Sequence, residues 1–282
     1  MKKQNRARRH ILSLLFVCLL FPPLLRAAPP APAATSQITT VSLPLITGMT
    51  RAELKHDAIP PQCAGVLVLC PGFNQDGEYL IRERGWREFA QKHRLLLVAL
   101  SFASKESDLS PSIQRGYYYT EKGSGKLLLD GLKKITGKEL PISIYGFSGG
   151  AHFTHRFVYK NPTKVKVWCA YSFGWYNNAP RASALHPPGI FVCGTQDERL
   201  ASTRDAFLSA RRAQWRVSWL GVPNSGHSVV AGAANQVRQF FDDVFSMKPA
   251  DAGTWEDIPK TNGFEKVTAK SWVPKKQPAS SN

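Results

Sequence analysis

A chain of 282 residues with 43% hydrophobic content can bury a sizeable core, which excludes wholesale disorder and fits one large α/β domain or two small ones. The formal net charge of +17 suits anionic partners. Beyond residues 1–28 its lysines and arginines are scattered, with no run longer than a pair such as Lys275–Lys276, so a solvated basic surface is expected and a nucleic-acid module is not.

In chain order, the first segment looks like a leader. Lys2, Lys3, Arg6, Arg8 and Arg9 precede the apolar run "ILSLLFVCLLF" at 11–21, and prolines follow. That is the layout of a signal peptide, and the run is short of the ~20 residues that span a bilayer. Residues 1–28 are therefore expected to be removed, with cleavage between Ala27 and Ala34, where "APA" at 31–33 offers a site. Cys18 lacks the small residues that would precede a lipid anchor. Loss of the leader, with its six basic and no acidic residues, lowers the charge from +17 to +11. A secreted or periplasmic protein without a stable membrane anchor is the expectation. A Pro/Ala-rich linker follows at 29–37, a catalytic domain at 38–246 and a loosely packed tail at 247–282.

Within the domain, 38–46 reads as a first strand. "AGVLVLCPG" (64–72) is a continuous apolar run ended by Pro-Gly, the pattern of a strand buried on both faces. Leu80, Ile81, Trp86, Phe89 and Ala90 give helical spacing over 78–93. "RLLLVALSF" (94–102) is another buried strand, followed by a polar and aromatic loop at 103–123 containing "GYYYT". A helix over 125–137 is stopped by Gly137. Then come a strand at 140–147, a helix at 149–160, strands at 164–173 and 189–195, a helix near 200–213, a strand at 214–222 and a helix at 228–245. Strands alternating with helices imply α/β class, a mostly parallel sheet covered by helices on both faces. Such a sheet places its chemistry at the carboxyl ends of its strands.

Three of those strand ends carry reactive side chains. "GFSGG" sets Ser148 between a strand and a helix, the strand–turn–helix context of a nucleophile elbow, in which flanking glycines leave room for a sharp turn. "FVCGTQDERL" sets Asp197 after a buried strand, and "WLGVPNSGHS" sets His227 after the last one. The order Ser, acid, His is the one this elbow requires. His227 would accept the proton of Ser148, and Asp197 would orient and stabilise the imidazole. Glu198 is the alternative acid, and Asp197 could instead cap the helix near 200. Negative charge growing on a carbonyl oxygen needs donors. The Gly149 N–H is one; the second is assigned to Phe73 in "CPGFNQDG", with Asn74 as second choice.

Other residues read more plainly. His152 and His155 stand one turn apart, but no third ligand is spaced for a metal, so packing or surface roles are expected. Lys126 after "GSG" lacks full phosphate-loop spacing. Cys63, Cys70, Cys169 and Cys193 show no zinc pattern and allow at most one disulfide. No metal and no cofactor is expected.

With the elbow, acid and histidine in place, the chain resembles the α/β-hydrolases of secreted esterase type, over roughly residues 60–245. It is similar to the cutinase-like, polyhydroxybutyrate-depolymerase-like and dienelactone-hydrolase-like groups. The resemblance implies the α/β-hydrolase fold. In cutinase-like enzymes a Pro-Gly-aromatic loop supplies an oxyanion donor and an aromatic wall, which Pro71, Gly72 and Phe73 match. A Trp follows the strand after the nucleophile helix, a place Trp175 can fill. Two features depart: a serine where dienelactone hydrolases have cysteine, and Gly149 after it where cutinases carry a bulkier residue. The gap from Gly174 to Pro188 is too short for a large cap domain, so an open cleft walled by Phe73, Trp175 and Tyr117 is expected, taking a small or polymeric ester. A peptidase, or a silent binding protein on the same fold, would carry many of the same signals.

Overall fold

The computed structural model describes residues 37–181 and 186–247, and the short strands at 255–257 and 272–274. The expected leader, nearly all of the linker and most of the tail lie outside the described residues.

One eight-stranded sheet organises the chain. β1 (Thr39–Ser42) and β2 (Met49–His56) form an antiparallel pair at one edge. β3 (Gly65–Cys70), β4 (Leu95–Ser104), β5 (Ile142–Phe147), β6 (Val165–Tyr171), β7 (Gly189–Gly194) and β8 (Val217–Val222) follow. The spatial order is β1-β2-β4-β3-β5-β6-β7-β8. β2 is antiparallel to β4, and every pairing from β4 through β8 is parallel. The sequence reading missed β2. In "MTRAELKH", Met49, Ala52 and Leu54 are buried while Arg51, Glu53 and Lys55 turn outward; its charges hide a half-buried strand rather than a continuous apolar run.

Helices α1 (Glu78–Arg82), α2 (Arg84–Lys92), α3 (Ser124–Thr136), α4 (Gly149–Lys160), α5 (Leu200–Arg212) and α6 (Ala231–Phe245) cover the sheet. Period-2 alternation along the strands divides the core. Val66, Val68, Val98 and Phe191 pack with Leu128 of α3, Phe153 and Phe157 of α4 and Phe207 of α5. Leu67, Leu69, Leu97 and Val192 pack with Trp86 and Phe89 of α2 and Phe241 of α6. The single helix expected over 78–93 is broken at Glu83, whose backbone is extended and whose carboxylate accepts from Arg238 of α6 at 2.9 Å. α3 ends at Gly137 with φ +71°, its N–H returned to the Lys133 carbonyl at 2.8 Å, a left-handed cap that glycine adopts without strain.

Between β6 and β7, residues 172–188 form no helix among the described residues, so no large cap covers the sheet's carboxyl edge. Beyond α6, Trp255–Asp257 (β9) and Trp272–Pro274 (β10) make a separate antiparallel pair. Cys63, Cys70, Cys169 and Cys193 are all free thiols. No helix of the described residues is long and apolar enough to cross a membrane.

Candidate active site

Ser148 stands where β5 meets α4, with φ 53° and ψ −115°. A non-glycine residue in this region stores on the order of 1–3 kcal/mol of strain, which the surroundings hold in place. The Ser148 amide donates to the Tyr171 carbonyl at 2.9 Å, and its own carbonyl accepts from Ala151 and His152. Glycines make the crossing possible. A Cβ at Gly146 would collide with the Gly150 carbonyl, and one at Gly150 with the carbonyls of Cys70 and Pro71.

The tertiary structure brings the three strand-end side chains together. Ser148 Oγ lies 2.8 Å from His227 Nε2, and His227 Nδ1 lies 2.9 Å from Asp197 Oδ2. A carboxylate only accepts, so Nδ1 carries the proton and Nε2 presents a lone pair to the hydroxyl. The imidazole stacks on Phe147 at 5.0 Å, which fixes its plane. The Asp197 side chain is fully buried. Burial pulls its pKa up, but the Arg199 N–H, His227 and Ser172 bonded to it outweigh that pull, and the net shift is downward. Asp197 therefore stays anionic. Glu198 points elsewhere, exposed and paired with Arg199 at 2.6 Å.

Two backbone amides lie side by side. A Cβ on Gly149 would stand 2.8 Å from both the nitrogen and the Cα of Phe73, so the two backbones are adjacent. Neither amide donates to a protein acceptor among the described residues. The Asn74 amide, the second choice from the sequence, is engaged by Tyr117 Oη at 3.3 Å. The Asn74 side chain makes a two-way bridge to the backbone of Ser104, at 2.8 and 2.9 Å, and Arg51 Nη2 donates to the Asn74 carbonyl at 2.8 Å. Sequence reasoning missed this bracing by Arg51 and Ser104, because nothing in a strand arginine or in a serine at the end of β4 signals it.

A cleft of about 440 Å³ opens beside Ser148, walled by Phe73, Tyr118, His152, Trp175 and Arg199. Phe73 and Trp175 are 41% and 47% exposed. Tyr117 is not a wall: it is 3% exposed and lies under the loop after β3, where its hydroxyl accepts from the Asn74 amide. Its neighbour Tyr118 lines the cleft instead, because consecutive residues in an irregular loop turn to different sides. His152 and His155 are buried, and no cluster of three or more His, Cys, Asp or Glu able to hold a metal occurs among the described residues. A groove of about 500 Å³ at the amino ends of β3, β5 and β6, lined by Val66, Leu132, Lys133 and Leu140, is larger. It contains none of Ser148, His227 or Asp197, whereas Ser148 lines the smaller cleft.

Solved structures share this architecture over about three quarters of the chain. The fluorophosphonate-binding serine hydrolase F of Staphylococcus aureus superimposes with a TM-score of 0.54 at 13% identity, over 75% of this chain and 99% of that one. This chain has the α/β-hydrolase fold. An esterase of Pyrobaculum calidifontis matches with a TM-score of 0.54 at 10% identity, over 74% of this chain and 85% of that one. A phospholipase/carboxylesterase of Dyadobacter fermentans matches with 0.51 at 14% identity, over 75% and 97%. No protein-family model and no curated protein sequence matches the chain. In α/β-hydrolase terms, Ser148 occupies the elbow after β5, and Asp197 and His227 follow β7 and β8.

Proposed function

We propose that this α/β-hydrolase is an exported serine hydrolase that cleaves carboxylic esters through an acyl-enzyme. The supporting observation is the hydrogen-bonded run from Ser148 Oγ through His227 to Asp197, at 2.8 and 2.9 Å, beside the two uncommitted amides of Phe73 and Gly149. In this reading Ser148 Oγ attacks the ester carbonyl carbon while its proton passes to His227 Nε2. The Phe73 and Gly149 N–H groups take the oxyanion, the largest electrostatic contribution in acyl transfer. Collapse expels the alcohol, which leaves with the proton from His227. Water then repeats the sequence on the acyl-Ser148 ester, His227 again taking the proton, and the carboxylic acid departs. Asp197 holds the tautomer and stabilises the imidazolium throughout. No step calls for a metal or cofactor.

The open cleft suits short and medium esters or a polymer segment, without a rate jump at the micellar threshold. Labelling by a fluorophosphonate, with p-nitrophenyl esters and the matching anilides as substrates, tests the reading. Ser148 should carry the label and esters should turn over. Absence of both would sink the proposal, and anilide turnover exceeding ester turnover would replace it with a peptidase. Export rests on the sequence of residues 1–28 alone; mass spectrometry of the native protein should find an N-terminus between about residues 28 and 34, and an intact Met1 would contradict it.

A further inference from the structure

Helix α4 buries four polar side chains in five positions: His152, Thr154, His155 and Arg156 are 6%, 0%, 0% and 4% exposed. Burying a guanidinium costs several kcal/mol unless its donors are met. No carboxylate pairs with Arg156 among the described residues. Its donors go to neutral oxygens instead. Nη2 donates to the Trp175 carbonyl at 3.1 Å, Nε to Asn177 Oδ1 at 3.2 Å and Nη1 to the His152 carbonyl at 3.1 Å, and the Tyr119 ring lies 4.8 Å below the guanidinium carbon.

The two histidines bind the same loop. His152 Nδ1 is 2.9 Å from the Trp175 carbonyl, and the Gly174 N–H points at its Nε2 at 3.4 Å. His155 Nδ1 is 2.9 Å from the Ala151 carbonyl, and the Asn177 N–H points at its Nε2 at 3.3 Å. A carbonyl can only accept and an amide can only donate, so each ring carries its proton on Nδ1 and is neutral. The segment 174–177 is thus tied to the nucleophile's helix at Gly174, Trp175 and Asn177.

We propose that Arg156 is a positioning residue: together with His152 and His155 it locks residues 174–177, so that Trp175 forms a fixed wall beside Ser148 for a flat, apolar acyl group. The proposal rests on the ester-hydrolase reading for its substrate but not for its geometry. Both nitrogens of His152 are taken by the loop backbone, so the ring offers the cleft carbon rather than a polar group. It stacks on Tyr118 at 4.4 Å and an interplanar angle of 14°. Phe73, Tyr118, His152 and Trp175 make the aromatic part of the cleft; Glu106, Glu198 and Arg199 bring charge to it, and Arg199 pairs with Glu198 at 2.6 Å. Rigid aromatic walls give apolar contact with little freedom left to lose on binding. Burial, reinforced by the Arg156 charge, holds both histidines in the neutral form the clamp needs, His152 down to about 3.

The test uses the full chain with Arg156→Met, Asn177→Ala and Asn177→Asp. The last keeps an acceptor for Arg156 and serves as the conservative control. Asn177 is exposed, so its variants should fold even where Arg156→Met does not. Hydrogen exchange followed by mass spectrometry over residues 172–178 should speed up about tenfold in Arg156→Met and Asn177→Ala, the effect of losing one charge-assisted hydrogen bond, and stay near wild type in Asn177→Asp. KM for p-nitrophenyl benzoate should rise about tenfold in the first two variants, while kcat and KM for p-nitrophenyl acetate hold. Unchanged exchange in the segment overturns the clamp, as does an equal loss on both esters. A wild-type protein that turns over neither ester defeats the hydrolase reading, and the exchange measurement then decides the clamp by itself.

Discussion

A Cβ placed on Gly149 would stand 2.8 Å from the backbone nitrogen of Phe73. The residue after Ser148 and the loop after β3 are therefore in direct backbone contact, and only glycine allows it. The same Cβ would come 2.7 Å from Tyr117 Oη, which itself supports the loop through Asn74. Gly149→Ala should push the Phe73 amide away from the oxyanion position. The expected loss in kcat is about 10²-fold, the cost of one misplaced donor, with fluorophosphonate labelling of Ser148 slowed in parallel. Wild-type kcat in this variant would show that the Phe73 amide takes no part.

Ser148→Ala should lower kcat by several orders of magnitude and abolish labelling. Ser148→Gly should do the same to activity while raising stability by about 1 kcal/mol, because glycine tolerates φ 53° without the strain that serine stores there. Chemical denaturation of both variants separates the two effects. A Gly variant less stable than the Ala variant would mean that the turn is not strained.

Asp197→Asn should cut kcat by about 10⁴-fold, because an amide can offer a donor to His227 Nδ1 and leave the imidazole in the wrong tautomer. Glu198→Gln should change kcat by less than threefold, since its carboxylate is exposed and pairs only with Arg199. Steady-state kinetics on one ester distinguishes them, and a reversed ranking would move the acid to Glu198.

Acid should destabilise the fold before its carboxylates titrate. Burial, then the neighbouring Arg156 charge, lowers the His152 pKa from 6.5 to about 3, and His155 shifts the same way. Below about pH 6.5 the unfolded chain binds protons that the folded chain refuses, so stability is full above that pH and falls as the pH drops toward 3. Asp197, Asp76 and Asp242 have lowered pKa values and lose their contribution only below about 3.8. Glu78 and Glu139, lowered from 4.5, begin to matter only near that pH, so urea midpoints between about pH 6.5 and 5.5 report the histidines. His152→Gln should flatten that slope; a slope equal to wild type would show that His152 takes up its proton freely in the fold.

The sequence by itself determined the α/β class, the order of the buried strands and the chain positions of Ser148, Asp197 and His227. It could do so because a strand buried on both faces must be continuously apolar, and because parallel strands put all their carboxyl ends on one edge. Residues far apart in the chain thus meet without any contact having to be foreseen. What the tertiary structure alone decided lies where no period constrains the chain. β2 has only one buried face and reads as charged. The helix breaks at Glu83, where Arg238, 155 residues later, meets its carboxylate. Among Tyr117, Tyr118 and Tyr119, loop geometry sends the second to the cleft and the first beneath the loop after β3. His152 and His155 read as ordinary packing or surface residues, and Arg156 as nothing in particular, until the loop at 174–177 folds over them. Most of their partners are backbone atoms, and a backbone carbonyl looks the same in every sequence.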